Sequence, residues 1–219
     1  MKVPPSTPRR KGFTLVEILV SLGIVSLLTA LIFGATTKAR SAADRIEGLS
    51  KMKQLGLAIQ EYANDNNNYL PGPLWAGQSP WYNSNDTRSL GFQLWSYLGA
   101  PAPQSWTQEA KALSPRAYEK ARPTTGTLSI LTQQALNGVN VWGYQDATTS
   151  TPPAKLSMLP GLTGTGGLSG AWAAEDVDQT NPNSNKSAGW YSALPSTPIY
   201  KPSRIVLYFD WHAAAVPLK

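Results

Sequence analysis

The sequence predicts an α+β chain with a long N-terminal α-helix, membrane-embedded in its first half, packed through its second half on a small antiparallel β-sheet head. Three observations carry this expectation. Residues 18–37 contain no charged side chain, a helical repeat of apolar residues continues beyond them, and the rest of the chain is rich in Gly, Pro, Ser and Thr with short strand-like segments.

The N-terminal element comes first. Residues 13–36, FTLVEILVSLGIVSLLTALIFGAT, are apolar except for Glu17 and a few small polar residues. A bilayer core takes roughly 20 helical residues, so the length suits a spanning helix. The apolar region of a cleaved secretory signal is about 7–15 residues, which this run exceeds. Lys2, Arg9, Arg10 and Lys11 precede it and favour a cytoplasmic N-terminus. The formal net charge is +6, and without those four residues 15 basic side chains face 13 acidic ones. The basic character is therefore mostly N-terminal, and nucleic acid is not the expected partner.

The helical period persists after Lys38. Ile46, Leu49, Met52, Leu55, Ile59 and Tyr62 recur at spacings of three or four, an amphipathic stripe. It ends in Asn64-Asp65-Asn66-Asn67-Asn68-Tyr69-Leu70-Pro71-Gly72-Pro73, a dense set of stop and turn residues. Residues 13–66 thus predict one helix of about 80 Å at 1.5 Å per residue. Its parts are a membrane segment over 13–36 and an amphipathic continuation over 37–70, and the head covers 71–219.

All eight Trp fall in the head. Ser89–Leu98 and Thr107–Lys120 read as short helices, the second disturbed by Pro115. Thr127–Leu136 and Val139–Tyr144 flank Asn137-Gly138, the strongest hairpin signal in the chain. Arg204–Phe209 reads as a strand, whereas the tract between Pro160 and Pro198 reads as surface loop. With no Cys, there is neither a disulfide framework nor a thiol nucleophile.

Glu17 poses the sharpest question. Burying a charge at the centre of a membrane helix costs about 2.5–3.5 kcal/mol on insertion scales, and residues 18–37 offer no cation. A partner has to be a lipid head group, another protein, or a new amine, such as the one that cleavage between Gly12 and Phe13 would create. The motif Lys11-Gly12-Phe13-Thr14-Leu15-Val16-Glu17 resembles the processing site of type IV pilins and of the pseudopilins of type II secretion. The resemblance implies a leader peptide over 1–12 and recognition of Lys11 and Gly12 by a prepilin peptidase. It also implies cleavage at Gly12/Phe13, N-methylation of Phe13, and pairing of Glu17 with the N-terminal amine of a neighbouring subunit during assembly. Gly34 lies where many members carry a helix-breaking proline, which marks it as a site of helix flexibility. Tyr62, Asp65, Asn66 and Tyr69 resemble the end of the long helix in pseudopilins.

The implied function is a structural subunit of a type II secretion pseudopilus or a type IV pilus-like filament. Its partners would be the peptidase, other pilins or pseudopilins, and an inner-membrane assembly platform. The place would be the bacterial inner membrane, single-pass, with an extracytoplasmic head and a filament in the periplasm or at the cell surface. The alternative is a minor pilin-like module whose aromatic-rich head contacts DNA, glycans or surfaces. An anchored enzyme is a third reading, but one His, no Cys and no nucleophile or phosphate-binding motif leave it without support.

No cofactor is expected, with one reservation. Glu175-Asp176-Val177-Asp178 places oxygen ligands in what reads as a loop, and Asp176 and Asp178 are weak candidates for calcium. The spacing lacks the glycine and distal glutamate of an EF-hand, so a solvated acidic loop is the plainer reading. Finally, Arg204–Val216 resembles the C-terminal strand of prepilin-like proteins that runs into Asp-Gly-His. Asp210 and His212 match, Trp211 replaces the glycine, and the pair reads first as a hydrogen-bonded turn.

Overall fold

A computed structural model describes residues 12–122, 127–146 and 148–218, without the side chains of Leu31, Gly34 and Ala35. The fold is α+β, with one long N-terminal helix and an antiparallel sheet. The helices are α1 (Leu15–Asp65), α2 (Leu90–Leu94), α3 (Arg116–Ala121), α4 (Leu159–Leu162) and α5 (Gly167–Gly170). The strands are β1 (Gly77–Gln78), β2 (Trp81–Tyr82), β3 (Gln108–Glu109), β4 (Ile130–Thr132), β5 (Ala135–Leu136), β6 (Val139–Asn140), β7 (Tyr144–Gln145), β8 (Ser150–Thr151), β9 (Trp172–Asp176), β10 (Ser203–Tyr208) and β11 (Ala213–Pro217). The chain forms two compact units, residues 1–42 and 43–219.

In the first unit, α1 is helical from Leu15 without a break through Gly34, and every described side chain is exposed. Its hydroxyls turn inward on the helix itself. Ser21, Ser26 and Thr29 each donate to the carbonyl four residues back, at 2.7, 2.8 and 2.7 Å. This back-bonding hides the polar groups and leaves the helix surface apolar. Among the described residues, no helix is long and apolar enough to cross a membrane. The expected membrane embedding of the first half therefore has no support from the structure. The oily side chains are described without interruption only from Leu15 to Ala30, short of the roughly 20 residues that a bilayer core takes.

In the second unit, the C-terminal half of α1 packs on a five-stranded sheet of order β1-β4-β9-β10-β11, antiparallel throughout. Met52, Leu55 and Ile59 are buried against a cluster that includes Ala173, Ile205, Leu207 and Phe209. Two glycines complete this face. A Cβ on Gly48 would lie 2.5 Å from Ile205 Cδ1 and from the Tyr200 ring, and one on Gly56 would lie 2.9 Å from Leu207 Cδ1. The helix thus approaches the sheet where it has no side chain. Ile46, placed on the buried stripe by its spacing, is instead 66% exposed, because the packing face runs through Gly48 and Ala63. Polar ties hold the same helix: Lys51 Nζ donates to the carbonyls of Lys111 and Ser114 at 2.7 and 2.9 Å.

Elsewhere the expected elements are present but shorter. Ser89 caps α2, accepting from Phe92 N at 3.2 Å. Pro115 splits the expected helix of 107–120: β3 and a 3-10 turn (Lys111–Leu113) precede it, and only α3 follows. Asn137 and Gly138, at φ 47° and 78°, form the tight turn between β5 and β6. Both residues take positive φ, which the preferred hairpin turn demands. The tract expected to be loop holds α4, α5 and β9, and β9 is the central strand of the sheet.

Candidate processing and assembly segment

The chain enters α1 through Gly12, Phe13 and Thr14, none of them helical. Gly12 is exposed, with no atom of the described residues within 4 Å of where a Cβ would stand, and Phe13 is 85% exposed. Thr14 and Glu17 then start the helix together. Glu17 Oε2 accepts from Thr14 N at 2.8 Å and from Thr14 Oγ1 at 2.9 Å, while Glu17 N donates back to Thr14 Oγ1 at 3.2 Å. This is a reciprocal capping box, satisfying two backbone donors that the first helical turn otherwise leaves unpaired. Its signal was present as Thr14-x-x-Glu17, overshadowed by the position of an acid in an apolar run. Among the described residues the contacts engage one carboxylate oxygen. Glu17 Oε1 has no internal partner among the described residues.

Of the remaining site residues, Lys11 lies outside the described residues, and Gly34 falls inside an unbroken stretch of α1. The first unit brings together Gly12, Phe13 and Glu17 within one helical entrance.

Of the two calcium candidates, Asp176 is the last residue of β9, and Asp178 lies in the loop that follows it. Asp178 is engaged by Arg204, whose Nε and Nη2 donate to its two oxygens at 2.7 and 2.9 Å, and Thr180 N adds a bond of 2.7 Å. Asp176 accepts from Ile205 N at 2.9 Å through one oxygen. Burial pushes its carboxyl up to about 8, with Glu175 and Asp178 raising it further and the Ile205 amide and Arg204 opposing. Among the described residues, no group of three or more His, Cys, Asp or Glu side chains is placed to hold a metal ion.

Asp210 and His212 do meet, with Nδ1 2.5 Å from Oδ1, and the imidazole lies flat on Tyr208 at 4.4 Å between ring centroids. Between them Trp211 holds φ 66°. That is the left-handed conformation in which glycine is the ordinary occupant. Its indole packs on the core beside Phe209, with ring centroids 6.2 Å apart, which offsets the backbone cost. The turn between β10 and β11 is thus built from Asp210, Trp211 and His212.

No curated protein and no solved structure matches the chain significantly. A family model, the prokaryotic N-terminal methylation motif, matches residues 7–33. The matched stretch spans Gly12, Phe13, the capping box and the apolar half of α1, and the chain therefore carries the N-terminal signature of type IV pilins and pseudopilins.

Proposed function

We propose that this chain is a structural filament subunit, cleaved between Gly12 and Phe13, N-methylated on Phe13, and assembled with its like into a pseudopilus or pilus-like fibre. The observation that carries the reading is the methylation motif over residues 7–33, seated on an exposed, non-helical Gly12-Phe13 pair directly ahead of a capped helix. A peptidase needs accessible backbone outside a helix, and an exposed, non-helical junction supports this reading. Lys11 and Gly12 would be the recognition residues.

Before assembly the leader anchors the chain with its basic residues in the cytoplasm, and the uncharged run 18–37 lies in the inner membrane. Glu17 tolerates that position because the capping box occupies one oxygen, while Oε1 stays available for a cation. The methylated amine of an adjacent subunit is such a cation, with a reference pKa near 7.7–8.0 for an α-amino group. Pairing the two fixes axial register, since the acid is costly in hydrocarbon without a partner. Gly34 gives the helix a point at which packed neighbours can stretch it at little expense.

The experiment is Glu17→Gln in cells that express the peptidase and the rest of the assembly machinery. Processing should proceed normally, and the subunit should be lost from the sheared filament fraction by at least about tenfold, the equivalent of 1.4 kcal/mol of coupling. A variant that enters filaments as well as the parent removes Glu17 from the account.

A further inference from the structure

The head carries a cleft unrelated to the processing segment. It has a volume of about 620 Å³ and lies between Trp75, the loop 83–88 and the end of β7. That volume falls within the range of roughly 300–1,000 Å³ found for small-ligand sites. Its walls are preformed. The Arg88 guanidinium stacks on the Trp75 ring, 3.4 Å from the centroid, and Arg88 Nη1 donates to the Gln145 carbonyl at 2.5 Å. Trp75 N donates to the Arg88 carbonyl at 3.0 Å. Asp146 is fixed by Thr148 N and Thr149 N at 2.8 and 2.7 Å, which hold its carboxyl down to about 2, so the group is a permanent acceptor.

What the cleft leaves unspent defines its ligand. Trp75 is 49% exposed even with Arg88 on it. Among the described residues the Gln145 amide makes no internal hydrogen bond, and neither does the Asn83 amide nitrogen, whose Oδ1 partner is Asn85 N at 2.9 Å. The Asp86 carboxyl, raised by partial burial, faces the same space. Donors and acceptors therefore alternate around a single half-open indole. An apolar ligand would strand these groups unpaired. A nucleic acid or phosphate would meet two carboxylates, Asp86 and Asp146, against one guanidinium, the wrong sign for phosphate recognition.

We propose that this cleft is a saccharide-binding site, taking a neutral sugar unit of a glycan whose apolar ring face rests on Trp75 and whose hydroxyls pair with Asp86, Asn83 and Gln145. A neutral polyol has both donors and acceptors at short spacing together with an apolar face, which is the complement of this lining. The site does not depend on the filament reading: it concerns the head alone, and it gives the aromatic-rich head a partner whether or not the chain is polymerised.

The test uses the full chain in a sugar-free zwitterionic detergent, with its tryptophan indoles followed by ¹H–¹⁵N correlation spectra. The probes are maltotriose, cellotriose and triacetylchitotriose, each titrated to about 50 mM, well beyond a millimolar dissociation constant. At least one should saturate while shifting the Trp75 indole resonance, with an affinity unchanged between about 0.05 and 0.5 M NaCl. Trp75→Ala should weaken that affinity at least about tenfold. Gln145→Ala, which removes no internal bond, should weaken it about threefold with the fold intact. Saturation by none of the three probes overturns the proposal. So does equal binding by both variants, or an affinity that collapses with salt.

Discussion

Asp176 is a buried carboxyl with one amide donor among the described residues, Ile205 N, and two acidic neighbours, Glu175 and Asp178, against the cation Arg204. Its proton is bound more tightly in the folded chain than in the unfolded one, where the reference pKa is near 3.9. The linkage sign follows. The folded state binds more protons between the two values, so stability is full below about pH 4 and falls as pH rises through about 8. Glu175, also raised by burial, adds to the same slope. Asp176→Asn keeps an acceptor for Ile205 N and removes the titration. The variant should match the parent near pH 4 and exceed it by on the order of 2 kcal/mol at pH 9, read from urea unfolding of the full chain in micelles. Equal pH slopes for the two proteins would show that Asp176 is not the group responsible.

At the scale of elements, the contact between α1 and the sheet is set by absent side chains. Gly48→Ala gains about 1 kcal/mol of helix propensity. It also drives a methyl to 2.5 Å from Ile205 and the Tyr200 ring, and overpacking of this kind costs about 1–3 kcal/mol. Tyr200 is itself buried, with little room to retreat, so the second term wins. The expected result is a net loss of up to about 2 kcal/mol, measured by urea unfolding. A stabilised Gly48→Ala would mean that the helix sits further from β10 than the 2.5 Å approach to Ile205 requires.

The same element shows what the sequence could and could not disclose. Met52, Leu55 and Ile59 were legible because large apolar residues at helical spacing mark a buried face. Gly48 and Ala63 were not, since the stripe was traced through large apolar side chains alone, and Ile46 was misplaced as a result. Asn137-Gly138 and the strand from Arg204 were legible by turn chemistry and by composition. Strand β9 was hidden: Trp172-Ala173-Ala174-Glu175-Asp176 has no alternation and ends in two acids, and it follows a glycine-rich tract. Only its neighbours explain it. Glu175 is tied by Asn183 Nδ2 at 2.7 Å and Asp176 by Ile205 N, so charges that read as loop are satisfied inside the sheet.

For the whole molecule, the methylation motif lies in the first unit, where none of the described side chains is buried and the described apolar ones face outward. An exposed apolar surface of this extent is stable only when something covers it. Lipid before assembly and neighbouring helices after it are the covers that the methylation motif implies. The motif was readable in the sequence as Gly12, Phe13 and Glu17 in register. The capping box that readies Glu17 emerged from the geometry, because a hydrogen bond between Thr14 and Glu17 needs the helix start to be placed. The most direct measurement is the intact mass and N-terminal sequence of the chain purified from its native membrane. The account predicts a polypeptide that begins at Phe13 and carries one added methyl group on its amine. A chain that still retains Met1–Gly12 in cells with an active prepilin peptidase would contradict it.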